Sequence, residues 1–438
     1  MMRTIRNIMQ ACVLMAVCGF AVAAEKTEFF FKDGDTVCVI GDSITEHAHY
    51  VNIMELWTLT RFPASDIRFR NVGKGSDTAP GGAARFQECV VPVKPTVLTV
   101  DFGMNDAKYR AFDENIFAVY TNGLQSIADQ AKKENIRVAW ITPQPVERDL
   151  KDKSRGDCPI YNETLGEFAK RLKPFAEDNG GLYVDQFTPY LAVLEKARAT
   201  DPMIRITGGD WIHPGQPGGV LMAANILKGM SFPTLVSAAE IDGLKMVKAV
   251  QCEITDVKAG PTGGIQFKRL DAALPYFPDP VVGKPRGSPP ASEMLKWAPI
   301  LEEMNDYRLK VAGLKPGDYE VRLDGEKIAE YSAEQLAAGV NLAEPALATG
   351  PIAKQVRQVI EAVTAKNGYF HGQIFRGIMD YKPREFPSFV KDGKALLEEV
   401  LKQKKIALAK RLAELPNYDE AVRKTLVMQP HLVEVMPK

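Results

Sequence analysis

Thr36-Val37-Cys38-Val39-Ile40-Gly41-Asp42-Ser43-Ile44 is an apolar, largely β-branched run that stops at a glycine and passes directly into an aspartate and a serine. A short run of this kind, closed by turn residues, reads as a buried strand followed by a strand-to-helix turn. Working outward, runs of the same character recur at 67–72, 96–101, 137–142 and 182–185, each ending where Gly, Asn, Pro or Asp opens a loop. Helical periodicity fills the intervals, most clearly at 116–133, 161–178 and 220–230. The alternation predicts an α/β unit over 25–232 with a parallel five-stranded sheet and helices on both faces. In open sheets of this kind ligands bind beyond the carboxyl ends of the strands, so chemistry is sought in the residues that follow each run.

After residue 232 the pattern changes. Segments 249–257, 307–311 and 318–323 alternate like strands, with turn chemistry at 313–317 and at Asp324-Gly325. They predict a small β-rich accessory region over 233–345, within which the Pro- and Gly-rich stretch 275–290 reads as a long surface loop. From about Pro351 onward the chain is charged and helical in period, with Val356, Ile360 and Val363 on one face and Leu396, Leu397, Val400 and Leu401 in a second segment. A helical C-terminal region is expected over 346–438, and no internal repeat is visible.

The chain has 438 residues, with 55 basic and 55 acidic side chains, so no net field draws it to nucleic acid or acidic membranes. At the N-terminus, Arg3 and Arg6 precede an uncharged apolar run that ends in Ala21-Val22-Ala23-Ala24. That is the pattern of a signal peptide over 1–24, cleaved near Ala23 or Ala24, which implies a secreted or periplasmic protein with no membrane attachment once processed. An uncleaved anchor and a lipoprotein acylated at Cys18 are the competing readings. Processing would leave Cys38, Cys89, Cys158 and Cys252, enough for one disulfide, although Cys38 sits in an apolar run as a buried thiol would. No CxxC pair, HExxH or Cys/His cluster occurs, so no metal and no cofactor is expected.

Four motifs fall at the predicted strand ends. Gly41-Asp42-Ser43-Ile44 sets a serine hydroxyl at the sheet edge and the start of a helix, where an attacking oxyanion is favoured; an N-capped turn is the plainer reading. Asn71-Val72-Gly73-Lys74-Gly75-Ser76-Asp77-Thr78 is a glycine-containing loop whose amides can point at one spot, and it lacks the third glycine of a dinucleotide fingerprint. Gly103-Met104-Asn105-Asp106 offers a carboxamide donor, or simply a turn. In Asp210-Trp211-Ile212-His213 an aspartate three residues before a histidine can fold back onto one imidazole nitrogen and leave the other free. The chain has only five histidines: His371 and His431 read as surface residues of the tail, and His47 and His49 as lying a turn below Ser43, facing away from its hydroxyl or lining the pocket.

In this order and at these places the motifs resemble the SGNH/GDSL hydrolase family over roughly residues 35–232. The resemblance implies a flavodoxin-like sheet, esterase or related acyl-hydrolase activity, and no metal. It carries the nucleophile onto Ser43, the other triad members onto Asp210 and His213, and the oxyanion hole onto the Ser43 amide, Gly75 or Ser76, and Asn105. Two departures are visible: Ile44 stands where leucine is usual, and Ser76 stands where the family's oxyanion glycine precedes Asp-Thr, with the glycine one earlier at Gly75. The expected substrate is a small-molecule or polysaccharide ester, with O-acetyl groups on carbohydrate favoured because export places the enzyme among glycans. Trp57 and Trp211 are available to stack sugars, or to pack in the core. Lipid esterase and thioesterase activities, or a non-catalytic carbohydrate-binding role for the region after Phe232, are the alternatives. Within that region no second nucleophile, base and acid can be assembled, so a chain ending near Phe232 is expected to keep esterase activity if it folds.

Overall fold

The run that opens the α/β unit folds as β1 (Thr36–Gly41), buried from Val37 onward. With β2 (Arg68–Asn71), β3 (Val97–Asp101), β4 (Arg137–Ile141) and β5 (Leu182–Val184) it forms a parallel sheet in the order β2-β1-β3-β4-β5. β3 is buried along its whole length, as expected for a central strand covered on both faces, which explains its mostly apolar sequence. This is the flavodoxin-like order, whose direction of winding switches between β1 and β3. The loops after those two strands therefore open onto one crevice, and they carry Ser43 and Asn105.

The computed structural model describes residues 28–147, 158–202, 204–281, 289–383, 387 and 390–438. The expected signal peptide lies outside them, as does the side chain of Cys158; Cys38, Cys89 and Cys252 are free thiols. Around the sheet run α1 (Ser43–Glu46), α2 (His49–Arg61), α3 (Glu114–Lys133), α4 (Cys158–Asp178), α5 (Phe187–Arg198) and α6 (Gln216–Gly229). No helix among the described residues is long and apolar enough to cross a membrane.

Beyond the α/β unit stand two further sheets. One combines β6 (Leu235–Asp242), β7 (Lys245–Val250), β10 (Asp306–Ala312) and β13 (Val340–Asn341), in the order β13-β10-β6-β7. The other combines β8 (Cys252–Ala259), β9 (Ile265–Asp271), β11 (Asp318–Leu323), β12 (Glu326–Ser332) and β14 (His431–Pro437), in the order β12-β11-β14-β9-β8. The C-terminal region contains α7 (Gly350–Tyr369), a π-helical segment over Phe370–Met379, α8 (Gly393–Leu412) and α9 (Leu415–Thr425). It then adds what its helical period did not announce: β14 returns the chain to the middle of the second accessory sheet.

Burial corrects one sequence expectation and decides a second that was left open. The stretch that opens at Pro275 is not a surface loop in its described part, because Tyr276, Phe277 and Asp279 are buried. Its reason for being inside is Trp57, whose indole N–H donates to the Tyr276 carbonyl at 2.7 Å while its ring meets Tyr276 edge-on. Trp57 is itself fully buried and Trp211 nearly so, so both pack rather than present a face for sugars. One hydrophobic cluster runs from Phe31 to Val435 and joins the hydrolase sheet to everything that follows it.

Candidate active site

Because β1 ends at Gly41, Asp42 turns the chain and caps α1, its carboxylate accepting the Ile44 N–H at 2.9 Å. Ser43 is then the first helical residue, where a backbone N–H has no intrahelical acceptor. Its hydroxyl lies 2.8 Å from His213 Nε2, across 170 residues of sequence. His213 Nδ1 lies 2.9 Å from Asp210 Oδ2, while Asp210 Oδ1 accepts the backbone N–H groups of Ile212 at 2.8 Å and His213 at 2.6 Å. Burial raises the Asp210 pKa, but the hydrogen bonds from the His213 ring and from the His213 and Ile212 amides outweigh it and hold the carboxyl well below the usual range. Asp210 therefore stays ionised, which makes Nδ1 the protonated nitrogen and leaves Nε2 free to accept the Ser43 proton.

The loop that delivers these two residues is braced from behind. Glu147, almost fully buried, accepts the N–H groups of Ile206 at 2.7 Å and Thr207 at 3.1 Å and the Thr207 hydroxyl at 2.9 Å, while its own N–H donates to Trp211 O. Gln144 Nε2 adds a bond to Ile212 O at 3.2 Å. At Gly209 a Cβ would stand 1.7 Å from the His213 carbonyl oxygen, so the fold-back of Asp210 onto His213 requires glycine there. The sequence reading missed Glu147 and Gln144; their only signal was a polar pair in the loop just after β4.

On the other side of Ser43 the loop after β2 is where the sequence left two donors open, and the structure separates them. Gly75 N–H is already engaged, donating to Glu46 Oε2 at 2.6 Å. The Ser76 N–H meets no protein acceptor among the described residues. Ser76 also holds the left-handed conformation, φ +60°, whereas the φ of Gly75 is not positive. Asn105 lies beside this turn: one of its amide hydrogens goes to Asp77 O at 2.9 Å, and its carbonyl accepts from Tyr109 at 3.0 Å. A carboxamide has a second N–H, which remains for a ligand.

Of the two placements the sequence left open for His47, the structure takes the one that lines the site: its ring packs against His213, with centroids 4.8 Å apart. α1 ends at Glu46, so the helix that would have carried His47 a turn downward is not there. Burial, and then the neighbouring His213, push its pKa below the ordinary value. His371 lies 3.9 Å from Glu46, and His431 lies on β14, paired with Asp324 at 2.8 Å; neither approaches Ser43 as a base would.

Among the described residues no group of His, Cys, Asp or Glu is placed to hold a metal ion. Residues 39–219 match the GDSL-like lipase/acylhydrolase family. These residues form an SGNH/GDSL hydrolase domain. The chain is a serine hydrolase acting on carboxylic ester bonds. An acetylxylan esterase of Geobacillus stearothermophilus is 23% identical over 221 residues, which cover 45% of this hydrolase and 95% of the relative. Its solved structure is 22% identical, with a TM-score of 0.39, covering 47% of this chain and 97% of that one. A gut microbial diltiazem-metabolizing enzyme of known structure is 26% identical with a TM-score of 0.76, and covers 93% of this chain and 98% of its own. That likeness extends through the accessory sheets and the C-terminal helices.

Proposed function

We propose that this hydrolase cleaves carboxylic esters through an acyl-enzyme on Ser43, with His213 as general base and Asp210 as the group that orients and stabilises the imidazole. The observation that carries the reading is the continuous chain Ser43 Oγ to His213 Nε2 at 2.8 Å and His213 Nδ1 to Asp210 at 2.9 Å. His213 takes the hydroxyl proton as Ser43 Oγ attacks the carbonyl carbon. The amides of Ser43 and Ser76 and the second Asn105 N–H receive the oxyanion. Collapse of the tetrahedral species passes the proton from His213 to the leaving alcohol, and water then repeats the sequence in reverse to release the acid. Gly75 is left out of the oxyanion hole because its donor is spent on Glu46.

The acyl group we favour is acetyl and the alcohol a carbohydrate, supported by the acetylxylan esterase among the relatives and by the export signal read at residues 1–24. Secretion or periplasmic export is part of the same proposal. A second reading, a small organic ester rather than a polysaccharide, is favoured by the diltiazem-metabolizing enzyme, which matches this chain along nearly its whole length. The buried state of Trp57 and Trp211 removes two stacking platforms and weakens the polysaccharide reading in favour of short acetylated sugars or other small esters.

The test is turnover of acetylated xylan, acetylated xylo-oligosaccharides, short and long p-nitrophenyl esters and a drug-like acetyl ester, with Ser43→Ala as the blank. Ser43→Ala and His213→Ala are each expected to lower kcat by several orders of magnitude, and the double variant to lose little more. Retention of more than about a hundredth of the wild-type rate by Ser43→Ala would remove Ser43 as nucleophile, since a lost triad member costs far more than that.

A further inference from the structure

The C-terminal π-helical segment Phe370–Met379 lies against the back of the oxyanion loop rather than at a distance from the chemistry. Arg376 reaches two carboxylates, pairing with Glu46 Oε1 through one nitrogen and with Asp380 Oδ2 at 2.8 Å through another. Asp380 in turn pairs with Lys74 through its other oxygen, and Glu46 accepts the Gly75 N–H through its other oxygen. Lys74, Asp380, Arg376, Glu46 and Gly75 thus make a closed ring of charge-assisted bonds, and the residue that leaves the ring is Ser76. Glu46 and Asp380 are largely shielded, at 14% and 12% side-chain exposure, so the ring is screened less by solvent than a surface ion pair. Beside it the buried Phe375 packs under Arg85, which bonds Asp77 at 2.7 Å and Val72 O at 2.6 Å and so pins the same loop from its far end.

This arrangement answers a difficulty in the loop itself. Ser76 holds φ +60°, a strained conformation that a residue with a Cβ keeps only where its surroundings impose it. π-Helical turns are rare and recur at functional positions, because they re-aim side chains that a regular helix would carry past the site. Resting on the oxyanion assignment above, we propose that Arg376 and Asp380 are positioning residues of the esterase: by clamping Glu46 and Lys74 they hold the Ser76 amide toward the carbonyl oxygen during attack by Ser43.

The experiment uses the full chain and compares Arg376→Ala, Asp380→Asn and Arg376→Lys with Asn105→Ala and wild type. Each is measured for kcat and KM on p-nitrophenyl acetate, for inhibition by a phenylboronic acid whose tetrahedral adduct on serine demands the oxyanion site, and for melting temperature. Arg376→Ala and Asp380→Asn are expected to lower kcat about tenfold, the scale of a slightly misplaced donor, and to weaken the boronic acid in parallel while KM stays within about twofold. Arg376→Lys should recover part of the loss, since one ammonium can hold one carboxylate but not both. The proposal is overturned if Arg376→Ala and Asp380→Asn keep wild-type kcat, or if kcat falls without the boronic acid weakening, which marks a purely structural role. If Asn105→Ala also keeps its kcat, the oxyanion assignment itself has failed; if Asn105→Ala falls while the Arg376 variants do not, only the positioning role has failed.

Discussion

Ser76 is where one residue departs most plainly from local preference: it stands in the left-handed region with no glycine to ease it. Its side chain forms no part of the proposed chemistry, so Ser76→Gly should keep most of kcat and match or slightly exceed the wild-type melting temperature. Ser76→Val, β-branched at positive φ, should lose about 1–3 kcal/mol of stability. Gly75→Ala should be mild, because the added Cβ meets only the end of Glu46, at 3.1 Å from Oε2, and φ there is not positive. Asn105→Ala should cost about 10²–10³ in kcat, the usual loss for an oxyanion donor. A Ser76→Gly variant as impaired as Asn105→Ala would show that the hydroxyl acts. Behind Ser43, burial pushes the Asp42 carboxyl up to about 7, against an ordinary 3.8, with the Ile44 amide opposing. A folded pKa above the unfolded one means that this contribution to stability is complete below about pH 4 and is lost as pH rises through 7. Asp42→Asn keeps an acceptor for Ile44 N–H and removes the charge, so its melting temperature should exceed wild type at pH 8 and equal it at pH 4; a constant difference across that range would contradict the assignment.

At the scale of elements, the active geometry depends on the loop carrying Asp210 and His213, and that loop has no regular structure of its own to hold it. Glu147 supplies what a helix or strand would have, accepting three donors from Ile206 and Thr207. Glu147→Ala leaves those buried donors without partners and should cost about 1–3 kcal/mol in chemical denaturation. It should also lower kcat, because the imidazole is no longer fixed against Ser43; unchanged kcat in a destabilised variant would mean that the loop is held by Gln144 and Gly209 alone. The five strands of the α/β unit were legible because each is short and closed by a turn residue and most are apolar, although β2 is Arg-Phe-Arg-Asn, and the motifs at their ends were legible because chemistry there depends on residue type. The braces were not. A lone Glu after β4 has no periodicity to distinguish it from solvated loop charge, and the reach of Arg376 to Glu46 joins residues 330 apart, which no local pattern encodes. The placement of His47 was left open for a related reason: α1 stops after a single turn, and tertiary context overrides helix propensity.

Across the whole molecule, the region after Phe232 completes the hydrolase core. The helix α2 is buried along most of its length, against α6 within the hydrolase unit and against α7 of the C-terminal region. Glu55 on α2, 1% exposed, is paired with the buried Lys366 and receives Asn367 Nδ2 at 2.8 Å. Arg70 on β2 is buried against Asp419 at 2.5 Å, and Arg61 donates to Pro233 O and to Met304 O. No local sequence pattern marks these charges as buried, because their partners lie far away in the chain. Removing one member of a buried pair leaves an uncompensated charge and typically costs about 3–5 kcal/mol, so Lys366→Met alone should lower the unfolding free energy by about that much. Deleting residues 233–438 strips Glu55 and Arg70 of their partners together and exposes the apolar surface around Trp57, losses that together reach the about 5–15 kcal/mol that holds a typical domain folded. The expectation that a chain ending near Phe232 keeps esterase activity therefore gives way to a different one: residues 25–232 alone should be insoluble or lack a cooperative urea transition, and should not turn over p-nitrophenyl acetate. Circular dichroism and urea unfolding of 25–232 beside the 25–438 protein decide it. A soluble 25–232 with a sharp transition and wild-type kcat would show that the buried pairs are dispensable, and would also count against any part played by Arg376 and Asp380 in placing the oxyanion loop.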